Sequence, residues 1–131
     1  MMELNRTLSI SASALRAERM RLDVIASNLA NVATTRTPEG GPYRRRAAVF
    51  TSEPIESPFG DALAALGQDG EALRGVGVAN VVEDQTPPRM VFEPGNPDAD
   101  AQGYVAYPNV NPVLEMVDLT AASRAMRRTC R

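Results

Sequence analysis

Glycine and proline are confined to the middle of this chain. All nine glycines and all ten prolines lie between Pro38 and Pro112, so both ends lack the strong helix breakers. This distribution predicts an α+β fold, in which two terminal helices flank a small β-rich middle. The predicted divisions are an N-terminal helix in 1–37, a β-rich middle in 38–111 and a C-terminal helix in 112–131.

The N-terminal segment carries an apolar stripe at helical spacing. Four leucines recur every seven residues, and Ile25 and Val32 fill the other heptad position in the second half. Ser11 and Glu18 occupy that position in the first half, which weakens a self-sufficient coiled coil. A helix over 4–33 would be about 45 Å long, more than so small a core covers, so we expect the stripe to contact a partner. The leucines are Leu8, Leu15, Leu22 and Leu29.

The C-terminal segment has a helix start signal and an apolar face. Asn111 can cap the helix, Pro112 suits its first position, and Glu115 lies in the first turn, where the helix dipole favours an anion. We expect this helix to pack with the N-terminal one as a coiled-coil-like pair. Its apolar residues at helical spacing are Val113, Met116, Val117 and Ala121.

Four stretches of the middle are rich in β-branched and aromatic residues, which predicts short strands. A glycine-containing segment near 57–75 is predicted to be flexible, either as a loop with one helical turn or as a segment that a partner orders. The predicted strands are residues 43–51, 76–83, 89–93 and 103–107.

The composition argues against catalysis and against metal or nucleic-acid binding. Histidine is absent and Cys130 is the single cysteine, which removes the commonest general base and any multi-thiolate zinc site. Fourteen arginines against sixteen acidic residues leave no broad basic surface, so the arginines at 44–46 are more typical of a solvated face or an ion-pair site. We expect no enzyme activity, no cofactor, no small-molecule substrate and no nucleic-acid partner. With no membrane-spanning run and no cleaved signal pattern, the sequence alone favours the cytoplasm.

The sequence D-A-D-A-Q-G at 98–103 nearly matches the start of a calcium loop, with acids at the first and third positions and glycine at the sixth. The fifth position is Gln102, and the twelfth is Asn109, where a bidentate glutamate is required. An acidic turn closed by Gly103 is the favoured alternative.

Asn28 and Asn31 are three residues apart, so they share one side of the predicted helix beside the apolar stripe. They could form a polar shoulder of a helix that frays before Pro38. Alternatively, their amides hydrogen-bond to neighbouring helices and fix the register between subunits. The spacing favours neither.

Seven motifs that together cover most of the chain occur in a fixed order. They are L-D-V-I-A-S-N-L-A-N at 22–31, T-T-R-T-P-E-G-G-P-Y-R-R-R at 34–46, G-V-G-V at 75–78, E-D-Q-T-P-P-R-M-V-F-E-P-G-N-P-D-A-D at 83–100, G-Y-V-A-Y-P-N-V-N at 103–111, E-M-V-D at 115–118 and A-S-R-A at 122–125. With these motifs the sequence resembles the proximal-rod subunits of the flagellar basal-body rod protein family. The asparagine motif combined with P-G-N-P-D-A-D and G-Y-V is highly specific to such subunits.

The resemblance implies a structural, non-enzymatic subunit of the proximal rod, which spans the periplasm as a helical tube and transmits torque from motor to hook. It implies that the terminal helices polymerise in the inner wall of the tube, with the β-rich middle outside. Export through the flagellar type III apparatus without a cleaved signal is also implied, and it replaces the cytoplasmic default. The implied partners are copies of the chain itself, the rod subunits FlgB, FlgF and FlgG, and the basal-body protein FliE.

A soluble helical adaptor that binds one partner without polymerising is the alternative interpretation. The residues expected at subunit contacts are Leu15, Leu22, Ile25, Asn28, Leu29, Asn31, Val32, Val113, Met116 and Val117.

The ending M-R-R-T-C-R at 126–131 departs from the family, in which the helix continues with an aromatic, an acidic residue, Ala-Asn and further turns. We expect a truncated or frame-shifted terminus that weakens assembly more than folding.

Overall fold

The chain has a long helix towards each end and two short antiparallel strand pairs between them. The computed structural model describes residues 2–55, 62, 65–66 and 73–130, so most of the segment predicted to be flexible near 57–75 lies outside the described residues. The predicted α+β class is confirmed. Among the described residues the elements are α1 (Met2–Ala30), β1 (Arg46–Pro54), β2 (Arg74–Glu83), β3 (Arg89–Phe92), β4 (Tyr104–Tyr107) and α2 (Pro112–Thr129).

Helix α1 ends at Ala30, three residues before the predicted end at residue 33. The Asn31 side chain closes the last turn, because its Nδ2 donates to the Ser27 carbonyl at 2.8 Å and its Oδ1 accepts from the Thr34 hydroxyl at 3.1 Å. Asparagine side chains compete with the helix for backbone partners in this way. The chain therefore leaves α1 in a turn over 31–33.

Strands β1 and β2 pair from Arg46 opposite Glu83 to Pro54 opposite Arg74, with a bulge between Val49 and Phe50. The predicted strand began at residue 43, whereas β1 begins at Arg46 because the Tyr43 ring is buried against α1 instead of entering the ladder. Strand β1 ends three residues later than predicted, at Pro54, and β2 begins two residues earlier, at Arg74. The two strands pair along these extra residues, and the β propensity of one segment does not indicate how far its partner extends.

Helix α1 contacts β2 at Ser13. Its hydroxyl donates to the Ile10 carbonyl at 2.7 Å and accepts from the Val76 N–H at 3.1 Å. Gly75 is buried at this point, and a Cβ there would come within 2.6 Å of the Ser13 Oγ. The absence of a side chain at Gly75 thus lets β2 pack directly on the helix.

The loop between β3 and β4 is tied to the segment that follows α1. Asp98 accepts a hydrogen bond from the Thr35 hydroxyl at 2.7 Å and pairs with the Arg36 guanidinium at 2.9 Å. Gly103 closes the loop with φ at +86°, and its N–H donates to the Asp100 carbonyl at 3.0 Å. The structure therefore has the acidic turn that was favoured over the calcium loop.

Helix α2 begins as predicted, with the Asn111 Oδ1 accepting from the N–H groups of Val113 at 3.0 Å and Leu114 at 3.4 Å. It packs against α1. Because Asn28 near the end of α1 contacts Glu115 in the first turn of α2, the two helices run antiparallel. The buried core is small, and its apolar members are Ala17, Ile25, Tyr43, Val105, Val110 and Ala122.

Candidate subunit interface

A buried polar cluster joins both helices to the start of β1, and Asn28 lies at its centre. The Asn28 Oδ1 accepts from the Arg46 N–H and from the Tyr43 hydroxyl, both at 2.9 Å. Its Nδ2 donates to the Arg46 carbonyl at 2.8 Å and to the Glu115 Oε2 at 3.2 Å. These four bonds use the whole capacity of a primary amide. We call Asn28, Tyr43, Arg45, Arg46 and Glu115 the polar junction.

Glu115 brings a buried charge into the polar junction, with 1% of its side chain exposed. Its Oε1 accepts from the Arg45 Nε at 2.5 Å, and Arg45 also lies 3.7 Å from the Asp118 carboxylate. The buried carboxylate is therefore both paired with a cation and hydrogen-bonded on each oxygen, which is what burial of a charge requires. Arg46 forms an exposed pair with Glu83 at 3.2 Å, so Arg45 and Arg46 make an ion-pair site, while Arg44 donates to the Gln85 side chain at 3.1 Å.

Two of the residues expected at subunit contacts, Ile25 and Asn28, are already buried by other parts of their own chain. Ile25 is 5% exposed and Asn28 is fully covered, with every donor and acceptor of its amide used within the chain. In the chain itself the Asn28 amide holds both helices against β1. Fixing the register between subunits, one of the two roles considered for Asn28, stays a prediction. Asn31 likewise bonds within its own turn, to Ser27 and Thr34.

The spacing of these residues showed only that they share a side of α1, and spacing does not reveal whether a segment of the same chain covers that side. No local pattern in the sequence indicates that Tyr43 and Arg45 join Asn28. Glu115 was interpreted only as an anion suited to the helix dipole. An acidic residue at 115, between the apolar residues at 113 and 116, was the signal that could have identified it as a buried partner.

The leucine stripe of α1, which comprises Leu8, Leu15, Leu22 and Leu29, lies to one side of the polar junction. At roughly 100° per residue, Leu15, Leu22 and Leu29 lie about 100–140° around the helix from Asn28. Leu8 is 56% exposed, and the other three leucines are half-buried, as is Val32. The stripe is thus only partly covered by the described part of its own chain.

The apolar residues of α2 are turned away from α1. Helix α2 packs through the side that holds the buried residues Glu115 and Ala122. On the other side, Val113, Met116 and Val117 are 67%, 57% and 59% exposed. We call these three residues the outward face of α2. Adjoining exposed apolar side chains of this kind mark surfaces that contact other molecules.

Two side-chain hydrogen bonds outside the polar junction hold the base of the β3–β4 loop. Glu93 accepts from the Asn96 side chain and from the Tyr107 hydroxyl, both at 3.0 Å. The Asn96 bond first, and then the Tyr107 bond, lowers the pKa of Glu93, and the bond to Glu93 raises the pKa of Tyr107. Within the described ranges, no three His, Cys, Asp or Glu side chains are grouped in a way that could hold a metal ion.

Comparison with known proteins shows the family. The family described as "Flagella basal body rod protein" matches residues 8–36, and the one described as "Flagellar basal body rod FlgEFG protein C-terminal" matches residues 101–125. The flagellar basal-body rod protein FlgC of Borreliella burgdorferi is 41% identical over 130 residues, covering 95% of this chain and 84% of the relative. FlgC of Salmonella typhimurium is 47% identical over 124 residues, which are 95% of this chain and 83% of the relative. FlgC of Bacillus subtilis is 43% identical over 124 residues, which cover 91% of this chain and 81% of the relative.

This chain belongs to the FlgC family of flagellar basal-body rod proteins. The predicted resemblance is confirmed, and with it the function of a structural subunit in the basal-body rod of the bacterial flagellum. Subunits of the FlgC family reside in the basal body and assemble with other basal-body proteins. The two family matches coincide with α1 and its following turn, and with β4 and most of α2, which are the parts that carry the polar junction's helices and the apolar surfaces. Neither described helix has an apolar stretch long enough to cross a lipid bilayer.

Proposed function

We propose that this chain polymerises in the proximal rod through the leucine stripe of α1 and the outward face of α2, and so transmits torque from motor to hook. The observation that supports this proposal is the exposure of Val113, Met116 and Val117 on a helix whose other side is already packed. The proposed contact residues are Leu15, Leu22, Leu29, Val32, Val113, Met116 and Val117.

The size of these surfaces suits a contact made many times over. Full burial of an aliphatic side chain contributes roughly 1.5–3 kcal/mol, whereas association costs about 4–15 kcal/mol in lost freedom of motion. The three side chains of the outward face are only about 60% exposed, so their burial contributes about 3–5 kcal/mol and offsets part of that cost. A subunit that contacts several neighbours offsets more. A polymer supplies those neighbours.

The proposed partners are further copies of this chain, the rod subunits FlgB, FlgF and FlgG, and the basal-body protein FliE. The proposal places the chain in the periplasmic rod after export through the flagellar type III apparatus without cleavage of a signal. Its work is mechanical and involves no catalysis, in keeping with the absence of histidine.

Substitution of the outward face tests the proposal. Val113, Met116 and Val117 are replaced together by serine, and Val82, an exposed valine of β2 at 47%, is replaced by serine as the control. We expect the triple variant to keep its melting temperature as a monomer but to be missing from basal bodies purified from cells that lack the native copy. The control is expected to be present in them.

Normal rods that contain the triple variant would contradict the proposal. Sedimentation with the sibling rod subunits separates polymerisation from the adaptor alternative, because an adaptor saturates at a fixed stoichiometry while a rod subunit enters larger assemblies.

A further inference from the structure

Glu18 interrupts the leucine stripe between Leu15 and Leu22 with a largely buried carboxylate. Its side chain is 16% exposed, and its Oε2 is buried without a hydrogen bond from any described residue. The ion pair with Arg21 spans 3.8 Å, which is beyond hydrogen-bond distance. A buried acceptor without a donor is destabilising, and more so when it is charged. The carboxylate can turn about its last torsion, so a donor arriving from outside could be accepted by either oxygen.

Arg124 extends the outward face of α2 with a positive charge. It follows Val117 by seven residues, which at about 100° per residue returns it to within roughly 20° of the same side of the helix. It follows Ala122, a residue of the packed side, by two residues, so it lies on the side away from α1. Arg124 is exposed and forms no ion pair with the described residues.

The charges and the apolar residues have matching spacings on the two helices. Leu29 follows Glu18 by eleven residues, and Arg124 follows Val113 by eleven. Eleven residues correspond to about 16 Å of helix and slightly more than three full turns, so each pair lies along one face. When the helices run antiparallel with Arg124 at Glu18, Val113 lies beside Leu29 and Val117 lies between Leu22 and Leu29.

We propose that Glu18 of one copy accepts a hydrogen bond from Arg124 of a second copy, whose α2 lies antiparallel on the leucine stripe. This pairing rests on the proposed function, because it specifies how the surfaces proposed there meet. The apolar residues supply the contact area, and the charge pair fixes its register, since a shift by one heptad moves the arginine about 10 Å from the carboxylate. A guanidinium is well suited to this role because its planar donors match a carboxylate.

Charge exchange tests the pairing in the full-length protein with Cys130→Ser. Sedimentation equilibrium measures self-association of the parent, of Glu18→Arg, of Arg124→Glu and of the variant with both changes. We expect each single change to weaken self-association about tenfold or more and the double change to restore it to within about threefold. Asp23→Arg, at an exposed acid on another side of α1, serves as the control and is expected to alter self-association less than threefold.

Cross-linking between copies gives a second measurement. One copy carries Glu18→Cys and a differently tagged copy carries Arg124→Cys, so a disulfide between the two tags must join two molecules. The mixed disulfide is expected to form faster than either like pair. Equal rates, or single charge reversals that leave self-association unchanged, would overturn the pairing.

The outcomes separate this pairing from the proposed function. If serine at Val113, Met116 and Val117 abolishes self-association while the charge reversals have no effect, the pairing is wrong and the proposed function stands. If the parent chain stays monomeric at every concentration and the Glu18→Cys and Arg124→Cys copies form no mixed disulfide, both are wrong.

Discussion

The polar junction and the outward face of α2 distribute polarity in opposite ways. Inside, Asn28 and Glu115 are almost completely buried, whereas outside, Val113 and Met116 are more than half exposed. Buried amides and charges specify one arrangement, because any other leaves donors or acceptors unpaired. Apolar faces give affinity without prescribing direction. The difference teaches that the shape of the subunit and its attachment to neighbours depend on separate residues, so mutation can disturb either one alone.

The largest expected effect comes from Asn28→Ala in the polar junction. The change removes partners from the Glu115 carboxylate, the Tyr43 hydroxyl and the backbone of Arg46 together. We expect the free energy of unfolding to fall by about 3–5 kcal/mol, measured by urea denaturation of the monomer. Asn31→Ala, which loses only contacts within its own turn, should cost about 1 kcal/mol. Equal losses of unfolding free energy in the two variants would contradict a larger stabilising role for Asn28 than for Asn31.

A smaller loss is expected from Gly75→Ala, where α1 meets β2. The added methyl would lie 2.6 Å from the Ser13 Oγ and 3.1 Å from its Cβ, which the helix backbone holds in place. Overpacking of this kind typically costs about 1–3 kcal/mol of unfolding free energy. Gly77→Ala is the control two residues along the same strand, because its methyl meets only the movable carboxylate of Glu53. A comparable loss in both variants would show that the contact with α1 is not its cause.

Val117→Ser on the outward face should leave the monomer almost unaffected. Its side chain is 59% exposed, so the free energy of unfolding is expected to change by less than about 0.5 kcal/mol. Assembly, measured as incorporation into rods, should fall nonetheless. Val117→Ser would then impair assembly without destabilising the monomer, whereas Asn28→Ala destabilises the monomer. A lower free energy of unfolding in Val117→Ser would contradict this separation.

The smallest effect concerns Glu93, a carboxylate outside the polar junction. Hydrogen bonds from Asn96 and Tyr107 lower its pKa, so their stabilising effect is fully present above the pKa of an unfolded glutamate, about 4.3, and is lost as the pH falls through the folded value. We expect the melting temperature to decrease slightly more between pH 7 and pH 3 in the parent chain than in Tyr107→Phe. Identical decreases would show that this contact does not respond to pH.

The parts of the fold that the sequence predicted are those with local causes. The confinement of glycine and proline located both helices, and Asn111 marked the start of α2 correctly. The stripe of leucines identified a real face of α1, but periodicity does not indicate what covers a face. Asn28 is bonded to residues 18 and 87 positions away, and no local pattern reports such partners. The strand ends were imprecise because the register of β1 on β2 sets them.

The separation of Asn28 and Glu115 by 87 positions also determines the order in which the molecule can be completed. The contacts of Asn28 with Tyr43 and Arg46, and the two strand pairs, span shorter stretches and can form early, while closure of the longest loop is entropically the most costly. A chain synthesised from its N-terminus therefore cannot close its pair of helices until α2 has been made. Until then the side of α1 that α2 covers stays open to water, and the partly made chain cannot present the two-helix surface on which rod building would depend.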